Sequence, residues 1–304
     1  MAYNRPDQVE GLLNSLRPFA PETIMVSVDG PKSSSLDKER VSGVIRALEA
    51  IDWTADIKFL IREKNVGIRR AVPDAVNWAL REHNQIIVIE DDVRVGKDFF
   101  FFMEYALQAF ENDPRIGHVS GYNAIPENVI TEQEAICRGS IYPESYAWGT
   151  WKKKWQSYSD SIPELRLSRL KELTGSIWSA LEWKINFSNA RKDKVNTWAY
   201  RWVASLWFNN LLSVSPNANI TEYRGRDSGT HTRTVPRWSE LPLQSLRMKT
   251  KKFAVDRDWK ADMWLSQTVF MGHPTGVFVR VIQSYLLSLI RLLGSKKFSG
   301  GSGS

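Results

Sequence analysis

The chain has 304 residues, 42% hydrophobic and 25% charged, with Lys and Arg exceeding Asp and Glu by 41 to 34. That composition belongs to a folded protein with a sizeable core and excludes intrinsic disorder. The net charge of +7 suits an anionic partner, whether a nucleoside diphosphate, nucleic acid or an acidic membrane surface, without choosing among them. The one cysteine, Cys137, excludes an internal disulfide and a cysteine-rich zinc site, and together with the lack of a leader-like segment it gives a cytoplasmic expectation.

Met1-Ala2-Tyr3-Asn4-Arg5-Pro6 reads as a loop of the kind that follows a strand, yet almost nothing precedes it. Either the sheet lacks a strand here or one has been trimmed. Thr23 to Val28 (TIMVSV) is rich in β-branched residues and ends at the turn signal Asp29-Gly30-Pro31. Leu36 to Ile51 predicts a helix, Ile57 to Ile61 a second strand, and Arg69 to Glu82 another helix. Gln85 to Ile89 (QIIVI) predicts a buried strand running into Glu90-Asp91-Asp92, and Phe99 to Asn112 a helix stopped by Asp113-Pro114. Strands alternating with helices at this spacing predict an α/β fold, a mixed but mostly parallel sheet flanked by helices. In open sheets of that kind ligands collect beyond the carboxyl ends of the strands, where Asp29 and the acidic triplet both fall.

Past residue 140 the composition changes. Of 13 tryptophans, eight lie between Trp148 and Trp207, in mostly helical sequence. Most such rings are expected in the core, the others as walls of a sugar site. Pro216 to Thr234 is polar and reads as loop. Val277 to Leu293 is apolar but broken by Arg280, Gln283, Ser284, Ser288 and Arg291 at helical spacing, which predicts an amphipathic helix and not a membrane span. It either docks on the body or rests on an anionic membrane as a peripheral contact at the inner face of the cell membrane. The expected organisation is a donor half at 1–140, an acceptor half at 141–250, a helical arm at 251–298 and a linker-like tail at 299–304.

Three adjacent carboxylates after a buried strand repel one another unless a cation or solvent relieves them. A hard divalent ion bridging a diphosphate needs only one or two of them. Side chains alternate along an extended backbone, so Glu90 and Asp92 share one side and Asp91 takes the other. Asp92 is then the direct metal ligand, with Glu90 and Asp91 toward the donor or water around the ion. Asp29 has two readings, an acceptor for a base or ribose and a simple turn aspartate. Asn65-Val66-Gly67 opens the helix bearing Arg69 and Arg70, which makes either a diphosphate cradle or an ordinary N-cap.

Tyr3-Asn4-Arg5-Pro6, Ser27-Val28-Asp29-Gly30-Pro31, Asn65-Val66-Gly67 and Ile89-Glu90-Asp91-Asp92 followed by Phe99-Phe100 resemble a GT-A (Rossmann-like) glycosyltransferase. The likeness is to a bacterial group loosely described as glycosyltransferase family A or haemolytic-protein-like, similar in its donor half to N-acetylglucosaminyltransferase I. It runs on through Tyr146 to Lys152, containing Trp148-Gly149, then Asn217-Ala218-Asn219 and Gly229-Thr230-His231-Thr232. The resemblance implies Mn²⁺ or Mg²⁺ on Asp92 with His231 approaching the metal or diphosphate. It also implies a donor nucleotide facing Asp29, Tyr3, Asn4 and Arg5, with Trp148 and Gly149 in the donor site.

Inverting members of such a family need a carboxylate base for the acceptor hydroxyl, expected as Asp within a Trp-Asp-aromatic stretch. Here the stretch reads Trp198-Ala199-Tyr200, and alanine cannot be a base. Either the base has moved, to Asp193 or Asp227, or Ala199 is an inactivating replacement of Asp. The implied activity is transfer from a nucleotide sugar, by default a UDP-sugar, to a surface polysaccharide, a lipid-linked glycan or a protein, with no nucleic acid involved. The alternatives are a sugar nucleotidyltransferase, for which Tyr3 to Asp7 lacks the Gly-rich basic loop, and a non-catalytic carbohydrate- or nucleic-acid-binding module.

Overall fold

The computed structural model describes residues 1–53, 56–225, 241–246, 253–283 and 286. The helices are α1 (Pro6–Leu16), α2 (Ser35–Glu49), α3 (Ile68–Glu82), α4 (Phe99–Phe110), α5 (Lys152–Trp155), α6 (Leu167–Thr174), α7 (Ile177–Arg191), α8 (Ala199–Phe208) and α9 (Trp259–Thr268). The strands are β1 (Thr23–Val28), β2 (Asp56–Ile61), β3 (Gln85–Ile89), β4 (Val93–Val95), β5 (Ile116–Ser120), β6 (Cys137–Ser140), β7 (Ala147–Trp151), β8 (Leu212–Pro216), β9 (Thr221–Tyr223) and β10 (Phe253–Arg257). Every element expected between residues 23 and 112 is present within two residues of its predicted bounds. The segment expected as loop from Pro216 carries β9, because Val93–Val95 offers it an antiparallel partner.

The architecture is mixed α/β, a sheet flanked by helices. Six strands run in the order β10-β6-β8-β5-β7-β3, and β1 and β2 form a separate parallel pair. β5 with β8 and β6 with β10 are parallel, whereas β3 with β7, β5 with β7 and β6 with β8 are antiparallel. β1 and β3 are not bonded to each other. Where their carboxyl ends approach, Ala2 makes an isolated parallel bridge to Val28 and the Met1 ammonium donates to the Ile89 carbonyl at 2.9 Å.

The largest apolar cluster joins α3 to the tryptophan-bearing helices. Val72, Val76 and Leu80 pack in the same core as Trp148, Trp183, Trp202 and Trp207, so the 140/141 boundary is bridged by shared packing. Of the eight tryptophans from Trp148 to Trp207 only Trp178 is exposed. Trp148 stacks on His118 and Trp198 with centroids 5.2 Å away in each case. The Trp202 indole donates to His118 Nδ1 at 3.0 Å, and Nε2 of that ring lies 3.2 Å from the Glu144 carbonyl. Burial pushes His118 down to about 3, so the imidazole is neutral and its two nitrogens serve as acceptor and donor. Trp148 and Gly149, expected in the donor site, are therefore core residues. The Trp148 side chain has no exposed surface, and a Cβ at Gly149 would lie 3.0 Å from the Ile86 carbonyl of the neighbouring strand.

A helix over 274–283 follows α9 and exposes Phe278, Val281 and Ile282. No helix among the described residues is long and apolar enough to cross a membrane.

Candidate functional site

β3 delivers Glu90-Asp91-Asp92 to its carboxyl end, but the chain does not continue extended. Val93 N–H donates back to the Glu90 carbonyl at 3.2 Å, closing a turn. The strand alternation expected to separate Asp91 from its neighbours is lost there, and Asp91 and Asp92 converge on one cation. Arg5, from the loop before α1, pairs with Asp91 and lies 2.9 Å from Asp92 Oδ2. Both carboxylates are buried. The second Asp92 oxygen, Oδ1, is buried with no hydrogen-bond partner. Burial, reinforced by Asp92 and Asp91, pushes Glu90 up to about 8. Burial likewise lowers the Met1 ammonium beside the triplet.

β9 closes the other side. Arg224 N–H donates to the Asp92 carbonyl at 2.7 Å, and a Cβ at Gly225 would sit 2.3 Å from Tyr223 Oη and 2.6 Å from Asp92 Oδ2. Any larger residue at 225 would have to displace the Tyr223 or Asp92 side chain. Tyr223 packs against Tyr146, and Tyr146 against Tyr122, each at 4.8 Å between centroids. This aromatic wall leads from the triplet to Glu144, whose carboxyl is pushed up to about 8 by burial and whose Oε2 has no partner. Glu144 was not singled out in the sequence; the Pro-Glu-Ser-Tyr run that carries it has no periodicity to mark it.

Asp29 has a different role from the one expected of a nucleotide acceptor. Its Oδ1 accepts from Gly30 N–H at 2.9 Å and Val66 N–H at 3.0 Å, and its Oδ2 from Gly67 N–H at 2.9 Å and Asn65 Nδ2 at 3.0 Å. A carboxylate offers about four lone-pair sites, so these bonds leave no capacity for a base or ribose. Asp29 clamps the loop that starts α3. The N–H groups of Val66 and Gly67 are spent on that clamp, which removes them from a diphosphate cradle. Gly67 holds φ +78°, and a Cβ there would approach Asn196 Nδ2 at 3.3 Å. The loop before α8 therefore abuts the loop before α3.

Tyr3 and Asn4 are fixed by a residue the sequence reading passed over. The buried Asp37 accepts from Tyr3 Oη at 2.7 Å, Asn4 Nδ2 at 2.6 Å and Lys32 N–H at 2.5 Å. Those hydrogen bonds draw its pKa below the usual carboxylate range against the opposing effect of burial. The signal was present: Ser34-x-x-Asp37 is a capping pattern, and Ser34 Oγ accepts from Asp37 N–H at 3.2 Å.

Arg69, expected at a diphosphate, lies 2.6 Å from Asp160 and also pairs with Asp193. The buried Arg201 lies 2.9 Å from Asp160 and 3.1 Å from Asp193. Asp193, a candidate base, is thus held between two guanidinium groups at a left-handed φ of 53°. Arg70 is exposed. Ala199 is the first residue of α8, half-buried, its N–H donating to Thr197 Oγ1 at 3.1 Å. Asp227 and His231 lie outside the described residues.

The structure thus brings together Met1, Arg5, Glu90, Asp91, Asp92 and Tyr223, and separately Asp29 with Asn65 and Gly67. Among the described residues no group of three or more His, Cys, Asp or Glu side chains is arranged to hold a metal ion. The orphaned Asp92 oxygen next to a buried acid is nonetheless the donor chemistry a hard cation takes.

No protein-family profile matches the sequence, and no curated protein matches it. Solved structures do match. One is a mannosyltransferase from Pyrobaculum calidifontis in complex with GDP-Man and Mn²⁺, 12% identical over 67% of each chain, with a TM-score of 0.38.

Proposed function

We infer that the chain is a glycosyltransferase that takes a sugar from a nucleoside-diphosphate donor, with a divalent cation, Mn²⁺ or Mg²⁺, at the end of β3. The observation that carries this reading is the acidic triplet with its buried Asp91 and Asp92, in which Arg5 answers Asp91 and one oxygen of Asp92 and leaves Asp92 Oδ1 unpartnered. A carboxylate oxygen buried without a partner costs several kcal/mol unless something supplies charge. Asp92 would hold the ion, with Glu90 beside it. Bound there, a divalent ion supplies charge to neutralise the leaving diphosphate. Arg5 keeps the two aspartates in place, and the half-exposed Tyr223, backed by Tyr146 and the buried Tyr122, offers flat apolar surface to a sugar ring.

The acceptor hydroxyl needs a base. In the favoured reading the base position is 199, at the start of α8 and just after the loop whose Asn196 abuts Gly67, where this chain carries alanine. Asp193 and Asp227 are the other positions raised by the sequence, and Asp193 is engaged by Arg69 and Arg201. UDP is the default nucleotide and inversion the default outcome, both from the family resemblance alone. The acceptor is a surface polysaccharide, lipid-linked glycan or protein, and the exposed apolar side chains Phe278, Val281 and Ile282 favour one near a membrane.

The test is calorimetric titration with UDP, then GDP, in Mn²⁺ and again in EDTA. Binding in Mn²⁺ that disappears in EDTA supports the reading; metal-independent binding, or none, defeats it. Transfer and donor hydrolysis are then compared between the present chain and Ala199→Asp. If the variant shows no gain, the base is not at 199.

A further inference from the structure

A cavity of about 450 Å³ separates β1 from β3. Its two long sides are strand edges, residues 23–27 on one and 85–89 on the other, and it is roofed and floored by apolar side chains that include Leu12 and Leu16 of α1, Val76 and Ala79 of α3 and Leu107 of α4. The ladder partners fix which backbone groups face it. β1 bonds to β2 through its even-numbered residues, as Arg62 N–H to the Val28 carbonyl and Asp56 N–H to the Glu22 carbonyl show. Thr23, Met25 and Ser27 therefore turn their N–H and C=O groups toward the cavity. β3 bonds to β7 through residues 84, 86 and 88, starting with Lys152 N–H to the Asn84 carbonyl. Gln85, Ile87 and Ile89 then face the cavity from the other side.

At the mouth, two rungs of a ladder are already made. Ala2 N–H donates to the Ser27 carbonyl at 2.9 Å and Asp29 N–H to the Ala2 carbonyl at 3.0 Å, the parallel pattern around Val28. The Met1 nitrogen donates to Ile89 on the opposite edge. Residues 1 and 2 thus occupy a strand track between β1 and β3, and deeper in that track neither edge has a partner among the described residues.

We propose that this groove is a strand-acceptor site whose occupant is an apolar β-strand of about five residues, running parallel to β1 and β3 and ending in line with Met1. An apolar small molecule would fill the space but leave two rows of peptide groups unsatisfied; only another backbone meets both. Direction and register follow from the Ala2–Val28 bridge. Because the walls above and below are both apolar, the strand is a continuous Val/Ile/Leu run and not an alternating one. Its insertion would join the β1–β2 pair to the six-stranded sheet and place Asp29 and Glu90-Asp91-Asp92 on the two flanks of one central strand. This inference does not depend on the glycosyltransferase reading.

The test fuses Val-Ile-Val-Ile-Val directly before Met1 and compares it with a Gly-Ser-Gly-Ser-Gly fusion and with Val-Ile-Pro-Ile-Val. Amide hydrogen exchange is read at Met25 and Ile87. The apolar strand is expected to slow exchange at both positions ~10-fold or more relative to Gly-Ser, and the proline version to lose most of that protection. Equal exchange in the apolar and Gly-Ser fusions overturns the proposal. If the apolar fusion is insoluble, the same strand is added as a synthetic peptide to the chain as it stands, and no protection then overturns it.

Discussion

Two carboxylates show how much a single residue's role depends on what it touches. Asp29 satisfies three backbone N–H groups and the Asn65 amide at once. Asp29→Ala leaves Gly30, Val66 and Gly67 N–H without acceptors at a buried site, and is expected to cost roughly 2–4 kcal/mol, seen as a lower urea midpoint at unchanged slope. Were Asp29 a nucleotide contact, the same variant would lose binding and keep its stability. Glu144 makes the opposite case, a half-buried acid with one oxygen, Oε2, left without a hydrogen bond. Its carboxyl is raised to about 8 by burial, so the folded state holds a proton that the unfolded chain releases near the ordinary value of about 4.3. The associated stability is full below that ordinary value and declines as pH rises toward about 8, by about 1.4 kcal/mol per pH unit in the window. Glu144→Gln is expected to remove that slope, so parallel stability–pH curves for the two proteins would show that Glu144 does not titrate this way.

Elements set the site by where they begin. α3 starts at Gly67, whose φ of +78° and ψ of 156° lie in a region that side chains strain to adopt. Gly67→Ala is expected to destabilise by ~1–3 kcal/mol, with the unfolding midpoint as readout; a neutral effect would mean that the loop rebuilds freely. α2 starts at Ser34, whose hydroxyl caps the helix while Asp37, one turn on, grips Tyr3 and Asn4. The loop before α1 is thereby tied to α2 on one side and, through Arg5, to the end of β3 on the other. α8 begins at Ala199, and Arg201 pins the loop before it by donating to the Asp160, Thr197 and Ala190 carbonyls. That network spends Arg69 and Asp193 on joining α3 to α8, which explains why neither is free for donor or acceptor.

Over the whole molecule, ligand binding and folding are linked. If a cation and a nucleoside diphosphate share the β3 end, both together at 100-fold above the dissociation constant stabilise the fold by about 2.7 kcal/mol. The rise in melting temperature is expected to vanish in EDTA and in Asp92→Asn, which retains the side chain's shape but not its charge. A melting shift that survives in Asp92→Asn would move the ion elsewhere. The acidic site, the β1 edge and the groove are one neighbourhood, since residues 1 and 2 bridge the ends of β1 and β3.

Much of this was legible locally. Hydrophobic periodicity and Gly, Pro and Asp punctuation placed β1, α2, β2, α3, β3 and α4, because those signals act within a few residues. The same patterns put Asp29 and Glu90-Asp91-Asp92 at strand ends. Partners were not legible. Asp29 reaches Gly67, Arg69 reaches Asp160 and Asp193, and Arg5 reaches Asp91 across long stretches of chain, and hydrogen-bonding capacity is spent on whichever groups the packing brings near. Trp148 belongs to the core because α3, β7 and α8 close over it, which no window of sequence contains. By itself the sequence determined which residues form strands and helices and where acids emerge from the sheet; the tertiary structure alone decided which of those acids are already satisfied, which one keeps an unpartnered oxygen, and that a strand-wide groove lies between β1 and β3.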